Sequence, residues 1–244
     1  MNTIEESQSQ VITNGLHSRF QLWESILRTN QVEVMAEIGV WKGAFAKYIL
    51  EQCEFIKCYY MIDPWATLPN WNKPRNVSTE VFNEVYEEAM CNTEFAAAKR
   101  IVLRGTSKDV IDNIPDESLD FAYIDGDHTL RGITIDLIKL LPKIRQGGII
   151  GGDDFKPYPW QHGVQFEPTL VCPYSVYFAE AMDLPIVALP FNQFIIYKKM
   201  NSSFSFTDTT GRFNDISLAK HTFQFSFPTI KRMAKRLLSR LGLR

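Results

Sequence analysis

Five acidic or imidazole side chains follow two short apolar runs near the middle of the 244-residue chain: Asp125, Asp127, His128, Asp153 and Asp154. Apolar residues recur at helical spacing between the two runs, so residues 119–155 are predicted to form a strand, a helix and a second strand. Such a crossover makes neighbouring parallel strands, whose carboxyl ends meet at the sheet edge where open α/β sheets bind ligands. The five side chains are therefore expected to converge on one crevice, where carboxylates could bind a divalent metal ion and Asp127 or His128 could accept a proton.

A glycine-containing turn follows an earlier buried strand at 32–38. Gly39 and Gly43 lie in this turn, and Glu37 lies just inside the strand. The dinucleotide fingerprint needs a second glycine two residues after the first, and the bulky Trp41 at that place argues against NAD or FAD. The turn suits a ligand with an amino-acid end, whose ammonium group Glu37 could bind. A tight turn without a ligand is the alternative.

Two further polar residues lie at the ends of the next two predicted strands. Asp63 stands roughly 24 residues beyond Gly39, where an acidic side chain can bind both hydroxyls of a ribose. Ser107 follows the third strand, where a small polar residue suits the edge of an adenine. Ser107 could equally be the N-cap of the next helix.

Helices and loops outside the sheet complete the predicted molecule. A helix over 16–29 has an apolar stripe and should pack on the sheet or cover the site. Loops at 64–75 and 156–165, rich in Pro and aromatic residues, could shape a substrate pocket. Residues 229–244 are predicted to form a basic amphipathic helix that docks on its own domain, on a second copy of the chain, on an acidic partner, or on an anionic membrane.

Composition narrows the class of protein. With 45% hydrophobic residues, the chain can bury the core of one α/β domain. Its net charge is −2, and because six basic residues at 231–244 carry +6, the remainder carries −8. That asymmetry argues against binding of nucleic acid through a basic face. The polar start MNTIEESQSQ and the lack of a long apolar run predict a cytoplasmic protein, peripheral at a membrane if the tail binds one.

Four motifs together resemble the class I S-adenosylmethionine-dependent methyltransferases: EIGVWKG at 37–43, IDPW at 62–65, YIDGDH at 123–128 and GGIIGGDDF at 147–155. Within that group the chain is similar to metal-dependent sugar O-methyltransferases of the macrocin O-methyltransferase type. The resemblance implies an α/β, doubly wound, Rossmann-like sheet of seven mostly parallel strands, with an antiparallel C-terminal hairpin and helices on both faces. The expected organisation is an extension at 1–31, a methyltransferase domain at 32–200 and a C-terminal extension at 201–244.

The resemblance also implies roles for the candidate residues. The residues expected to bind S-adenosylmethionine are Glu37, Gly39 and Gly43 at the methionine end, Asp63 at the ribose, Ser107 at the adenine, and Asp125. The expected ligands of Mg²⁺ or another divalent ion are Asp125, Asp153 and Asp154. The expected base is Asp127 or His128.

Three functions are compatible with these residues. The first is metal-assisted methylation of a hydroxyl on a sugar or glycosylated metabolite, in which the ion binds vicinal hydroxyls and lowers the pKa of one. The second is methylation of a catechol-like phenol by the same chemistry. The third is a non-catalytic protein that binds S-adenosylmethionine and docks through its basic tail. Whether the chain forms a homo-oligomer stays open.

Overall fold

The structure is a computed structural model that describes residues 15–213. The chain divides into two compact units, residues 1–212 and 213–244. The predicted basic helix at 229–244 lies outside the described residues, as do the first fourteen residues. The fold and the site below therefore belong to the first unit.

One mixed sheet forms the centre of the described chain, in the order β3-β2-β1-β4-β5-β7-β6-β8. Its strands are β1 Val34–Ile38, β2 Cys58–Asp63, β3 Arg100–Arg104, β4 Leu119–Ile124, β5 Ile144–Gly152, β6 Pro185–Leu189, β7 Gln193–Tyr197 and β8 Ser205–Asp208. The strands from β3 to β5 pair in parallel, whereas β7 is antiparallel to both β5 and β6. The doubly wound sheet and its antiparallel hairpin confirm the predicted fold class.

The predicted count of seven strands is wrong, because the described sheet has eight. The additional strand, β8, pairs in parallel with the outer side of β6. Its sequence SFTD has one large apolar residue, Phe206, and three polar residues. A strand with so little apolar surface gives only a weak alternating pattern, which is why the segment after 201 was not predicted to pair.

Helices connect the strands: α1 Arg19–Thr29, α2 Ala44–Gln52, α3 Thr79–Asn92, α4 Ser107–Val110, α5 Leu130–Leu140 and α6 Val171–Ala181. Short 3-10 turns lie at Glu94–Ala96, Ile111–Asn113 and Pro190–Asn192. The predicted strand, helix and strand at 119–155 are present as β4, α5 and β5. Among residues 15–213, every helix is too short or too polar to cross a bilayer.

Helix α1 packs directly on the sheet through Trp23. The indole is fully buried, with its ring centroid 5.0 Å from that of Phe121 and 5.2 Å from that of Tyr123. This contact requires a glycine on β5, because a Cβ at Gly151 would lie 2.0 Å from the indole. Ser18 begins the helix by accepting a hydrogen bond from the backbone N–H of Gln21 at 3.2 Å. The prediction that this helix packs on the sheet is confirmed.

Candidate active site

The glycine turn after β1 lies against the loop that follows β4. Gly39 has φ +88°, and a Cβ there would lie 2.2 Å from the carbonyl oxygen of Asp125. The backbone N–H of Gly39 donates to Ile62 O at 2.9 Å, and that of Asp125 donates to Ile38 O at 2.8 Å. Gly39 therefore allows the turn predicted to bind the methionine end to contact the start of the acidic cluster.

Glu37 is buried beneath this turn, where its carboxyl accepts a hydrogen bond from the Tyr59 hydroxyl at 2.8 Å. Burial raises the pKa of Glu37 to about 8, because the ionised carboxylate loses its hydration and one hydrogen bond replaces only part of it. The carboxyl is consequently protonated at neutral pH in the ligand-free site.

Asp63 lies at the end of β2 and joins two backbone turns. Its carboxylate oxygens accept hydrogen bonds from the backbone N–H of Trp41 at 2.9 Å and of Trp65 at 2.8 Å. Burial raises the pKa of Asp63 to about 6 despite these bonds. The predicted ribose ligand therefore also fixes the glycine turn relative to β2.

Ser107 is the first residue of α4, and its hydroxyl donates a hydrogen bond to Asp136 on α5. The alternative prediction that Ser107 is an N-cap is wrong, because Thr106 occupies that position. Burial raises the pKa of Asp136 to about 7, and its second carboxylate oxygen has no hydrogen-bond partner within residues 15–213. This partnership was not predicted, because the two residues are 29 positions apart.

His128 lies between two of the predicted metal ligands. Its Nδ1 donates to Asp154 Oδ2 at 2.8 Å, and its Nε2 lies 3.4 Å from Asp125 Oδ1, an ion-pair distance without good hydrogen-bond geometry. Burial lowers the pKa of His128, but the two carboxylates outweigh burial and raise it to about 9. The pKa of Asp154 is lowered, because the contacts with His128 and Lys156 outweigh burial. His128 is therefore an imidazolium at neutral pH in this arrangement.

Arg19 on α1 completes the cluster and was missed in the sequence. Its Nη1 donates to Asp125 Oδ2 at 3.0 Å and forms an ion pair with Asp153. The Tyr123 hydroxyl lies 3.4 Å from the same nitrogen. Arg19 lies one helical turn before Trp23, so both side chains project from the same side of α1. That spacing was the available signal in the sequence.

Gln193 is a second residue missed in the sequence, and it joins the cluster to the core. Its carbonyl oxygen accepts from Trp23 Nε1 at 2.7 Å and from the Tyr123 hydroxyl at 2.9 Å. Its amide nitrogen donates to Asp153 Oδ1 at 2.6 Å and to Phe191 O at 2.8 Å. A fully buried amide that satisfies four partners fixes the position of Asp153.

Asp127 contacts the loop that follows β2, residues 64–78. Its Oδ1 accepts hydrogen bonds from Trp71 Nε1 at 2.9 Å and from the backbone N–H of Thr129 at 3.0 Å. The two candidate bases are thus in different surroundings, one bound to carboxylates and the other to neutral donors.

The two predicted loops contact each other beside the cluster. Lys73 is buried, and its ammonium donates to the carbonyl oxygens of Glu167 at 2.8 Å and Pro168 at 3.4 Å. Asn72 donates to the carbonyl oxygen of Gln165 at 2.8 Å. We call residues 64–78 and 156–170 the paired loops. They border the cluster through Trp71, which binds Asp127.

The cluster does not fit a divalent ion in this arrangement. Each carboxylate oxygen of the three predicted ligands already faces a donor or a cation: Asp125 faces His128 and Arg19, Asp153 faces Gln193 and Arg19, and Asp154 faces Lys156 and His128. Within residues 15–213, no group of three or more His, Cys, Asp or Glu side chains is arranged to hold a metal. An ion would have to displace Arg19 to bind Asp125 and Asp153 together.

A doubly wound sheet with an antiparallel hairpin, and a glycine turn that contacts an acidic cluster at its carboxyl edge, are features of the Rossmann-like methyltransferase fold. Residues 36–155 match the protein family described as "Methyltransferase domain". The match runs from β1 to just beyond β5, so this part of the chain is similar to a methyltransferase domain. No curated protein matches the chain in sequence.

Solved structures of O-methyltransferases share the fold. A Staphylococcus aureus protein provisionally named a caffeoyl-CoA O-methyltransferase has a TM-score of 0.57 at 15% identity, over 81% of this chain and 93% of its own. A Bacillus cereus O-methyltransferase in complex with SAH has a TM-score of 0.55 at 16% identity, over 80% of this chain and 88% of its own. The O-methyltransferase NovP has a TM-score of 0.52 at 18% identity, over 72% of this chain and 76% of its own. At these identities the likeness shows a common fold, which is that of the O-methyltransferases.

Proposed function

We propose that this enzyme transfers the methyl group of S-adenosylmethionine to a hydroxyl oxygen of a small molecule, with a sugar or glycosylated metabolite as the first candidate. The observation that carries the proposal is the contact between Gly39 and Asp125. It brings the turn that would bind the methionine end next to a polar cluster that could bind an acceptor. Methyl transfer requires donor and acceptor in contact and aligned, so adjoining sites are what the reaction needs.

The cofactor would lie across the carboxyl ends of the first strands. In this proposal Gly39 and Gly43 let the backbone approach the methionine end, and Ser107 borders the adenine. Asp63 accepts hydrogen bonds from backbone N–H groups, and a carboxylate has about four acceptor positions, so it keeps capacity for a ribose hydroxyl. Glu37 is protonated in the free site, and binding of the cofactor's ammonium would favour release of that proton.

The acceptor hydroxyl must lose its proton as its oxygen attacks the sulfonium methyl group. Asp127 and His128 both remain candidate bases. The imidazolium form of His128 cannot accept a proton, so this role would require the bound ligands to change its contacts. Asp127 is close to Trp71 in the paired loops, where a substrate would enter. These observations favour Asp127.

A sugar is favoured over a phenol by the polar character of the crevice. Several carboxylates, His128 and the buried Lys73 are close together there, and vicinal hydroxyls can both donate to and accept from such groups. A catechol-like phenol would need a flat apolar slot, to which Trp71 beside Asp127 could contribute. Metal assistance, which the resemblance implies, would require Arg19 to leave Asp125 and Asp153.

Titration calorimetry with S-adenosylmethionine, followed by transfer of a labelled methyl group to a panel of sugars and catechols, tests the proposal. We expect micromolar cofactor binding and labelled product with a hydroxylated acceptor. Asp127→Asn should retain cofactor binding and lose transfer, whereas exposed Asp112→Asn should retain both. Absence of cofactor binding would overturn the proposal, and binding without transfer to any hydroxyl would favour the non-catalytic alternative.

A further inference from the structure

We propose that the guanidinium of Arg19 takes the place predicted for a divalent ion between Asp125 and Asp153, so that the site needs no metal. The inference concerns which cation the carboxylates bind, and it rests on the proposed function only in taking the cluster to be the acceptor site. It assigns to helix α1 a positioning residue that none of the sequence motifs contains.

Arg19 binds two of the three carboxylates through one nitrogen. Nη1 contacts Asp125 Oδ2 at 3.0 Å and also pairs with Asp153, so a single donor bridges the ends of β4 and β5. A bridging position between carboxylates on adjacent strands is where an ion would have to bind. A guanidinium stays positively charged at any pH at which the protein is folded, so it can fill this position permanently.

The fold holds Arg19 in this position through Trp23, one helical turn further along α1. The Trp23 indole lies in the recess that Gly151 leaves on β5, and its N–H is bound by the buried Gln193. Gln193 in turn binds Asp153, the partner of Arg19. The same buried network thus positions both the guanidinium and one of its carboxylates. Because both Arg19 and Asp153 are held by buried neighbours, their ion pair is more rigid than one between flexible surface side chains.

The charges around the three carboxylates also favour Arg19 over a divalent ion. Arg19 pairs with Asp125 and Asp153, Lys156 pairs with Asp154, and both ring nitrogens of His128 face carboxylate oxygens. A dication entering the cluster would meet repulsion from Arg19 and would find the oxygens that it needs already bound. Hard divalent ions bind tightly only when several oxygen ligands are free to surround them.

Binding of Mn²⁺ alone, measured by titration calorimetry and by the loss of the free-ion paramagnetic signal, tests the proposal without substrate or cofactor. The wild-type protein should show no binding below millimolar Mn²⁺. Arg19→Gln keeps hydrogen-bonding capacity but removes the charge, and it should bind Mn²⁺ at least about tenfold more tightly than the wild type. Arg28→Gln, on the same helix in an exposed ion pair with Glu24, is the matched control and should behave as the wild type.

Micromolar Mn²⁺ binding by the wild-type protein would overturn the proposal without reference to any variant. Equal, weak binding by Arg19→Gln and the wild type would also overturn it, provided that circular dichroism shows the variant to be folded. If Arg19→Gln does not fold, Arg19→Lys keeps the charge and should still exclude the ion. Methyl transfer that continues in the presence of a chelator would support the proposal. Mn²⁺ binding is measured without turnover, so its result does not depend on whether the proposed methyl transfer occurs.

Discussion

Gln193 is the polar side chain on which most of the buried network depends. Replacing it with Leu would leave the Trp23 indole N–H and the Tyr123 hydroxyl without their acceptor and remove a donor from Asp153. Because buried donors without a partner are costly, Gln193→Leu should lower the free energy of unfolding by roughly 2 to 4 kcal/mol. Urea denaturation followed by circular dichroism measures this loss.

The exposed Gln146 provides the comparison for this substitution. Gln146→Leu removes an amide of the same size and should change the unfolding free energy by less than about 0.5 kcal/mol. A similar effect for both substitutions would mean that the hydrogen bonds of Gln193 contribute little.

Glu37 should make stability depend on pH. Burial raises its folded pKa from 4.5 to about 8, so the folded state binds a proton that the unfolded state has released. Its contribution is complete below the unfolded pKa and is lost as the pH rises through the folded value. Asp63 and Asp136 act in the same direction, since burial raises their pKa values to about 6 and about 7.

The melting temperature of the wild type should therefore fall between about pH 5 and pH 8, and Glu37→Gln should reduce the fall because Gln does not ionise. Thermal denaturation across this range measures both slopes. Glu33→Gln, in an exposed pair with Lys57, should keep the wild-type slope. An unchanged slope in Glu37→Gln would mean that Glu37 is ionised in the folded protein.

Gly39 combines an unusual backbone angle with a close approach. A Cβ would have to adopt φ +88° and would overlap the carbonyl of Asp125, so the turn must move away from β4. Gly39→Ala should cost about 3 kcal/mol or more and abolish cofactor binding, as measured by urea denaturation and calorimetry.

Gly15→Ala separates the backbone strain from the close contact, because Gly15 has φ +83° and, among residues 15–213, no atom within 4 Å of the added Cβ. It should cost only about 1 to 2 kcal/mol and leave cofactor binding intact. Equal losses in the two variants would show that backbone strain alone, without the contact to Asp125, limits position 39.

At the scale of elements, the paired loops depend on one buried ammonium. Lys73 binds carbonyl oxygens of 167 and 168, and burial lowers its pKa. Lys73→Met keeps the length of the chain but removes these bonds, so the loop at 156–170 should separate from the loop at 64–78. We expect faster cleavage of 156–170 by protease and faster amide exchange there, with little change in global unfolding.

The control for this substitution is Lys99→Met, which removes an exposed bond to Glu54 O far from the loops along the chain. It should leave cleavage of 156–170 unchanged. If Lys73→Met also left both rates unchanged, the bonds of Asn72 to Gln165 and Glu167 would be sufficient to hold the loops together.

The packing of helix α1 on the sheet could be predicted from the sequence, but the contact of its Arg19 with the acidic cluster could not. The apolar stripe correctly predicted that the helix packs on the sheet, because the stripe depends only on local spacing. The contact of Arg19 with Asp125 joins residues 106 positions apart. Its prediction would have required the rotation of the helix and the recess at Gly151, and neither is encoded in the spacing of nearby residues.

At the scale of the whole molecule, the parallel part of the sheet was predictable because its strands are short apolar runs that end at glycine or acidic residues. The same pattern brought Asp125, Asp153, Asp154 and His128 together, as the structure has them. Which cation the cluster binds was harder to predict from the sequence. The carboxylates alone suggest a metal, whereas Arg19, the cation that bridges two of them, comes from a distant helix.

Strand β8 has a consequence for how the chain can be shortened. It covers the outer edge of β6, whose backbone groups would otherwise face solvent along an apolar strand, Pro185–Leu189. A chain ending at 200, the boundary predicted for the methyltransferase domain, would retain every candidate site residue and lose β8. Its uncovered edge would be free to pair with the same edge of another molecule, so such a protein should aggregate through intermolecular β-sheet.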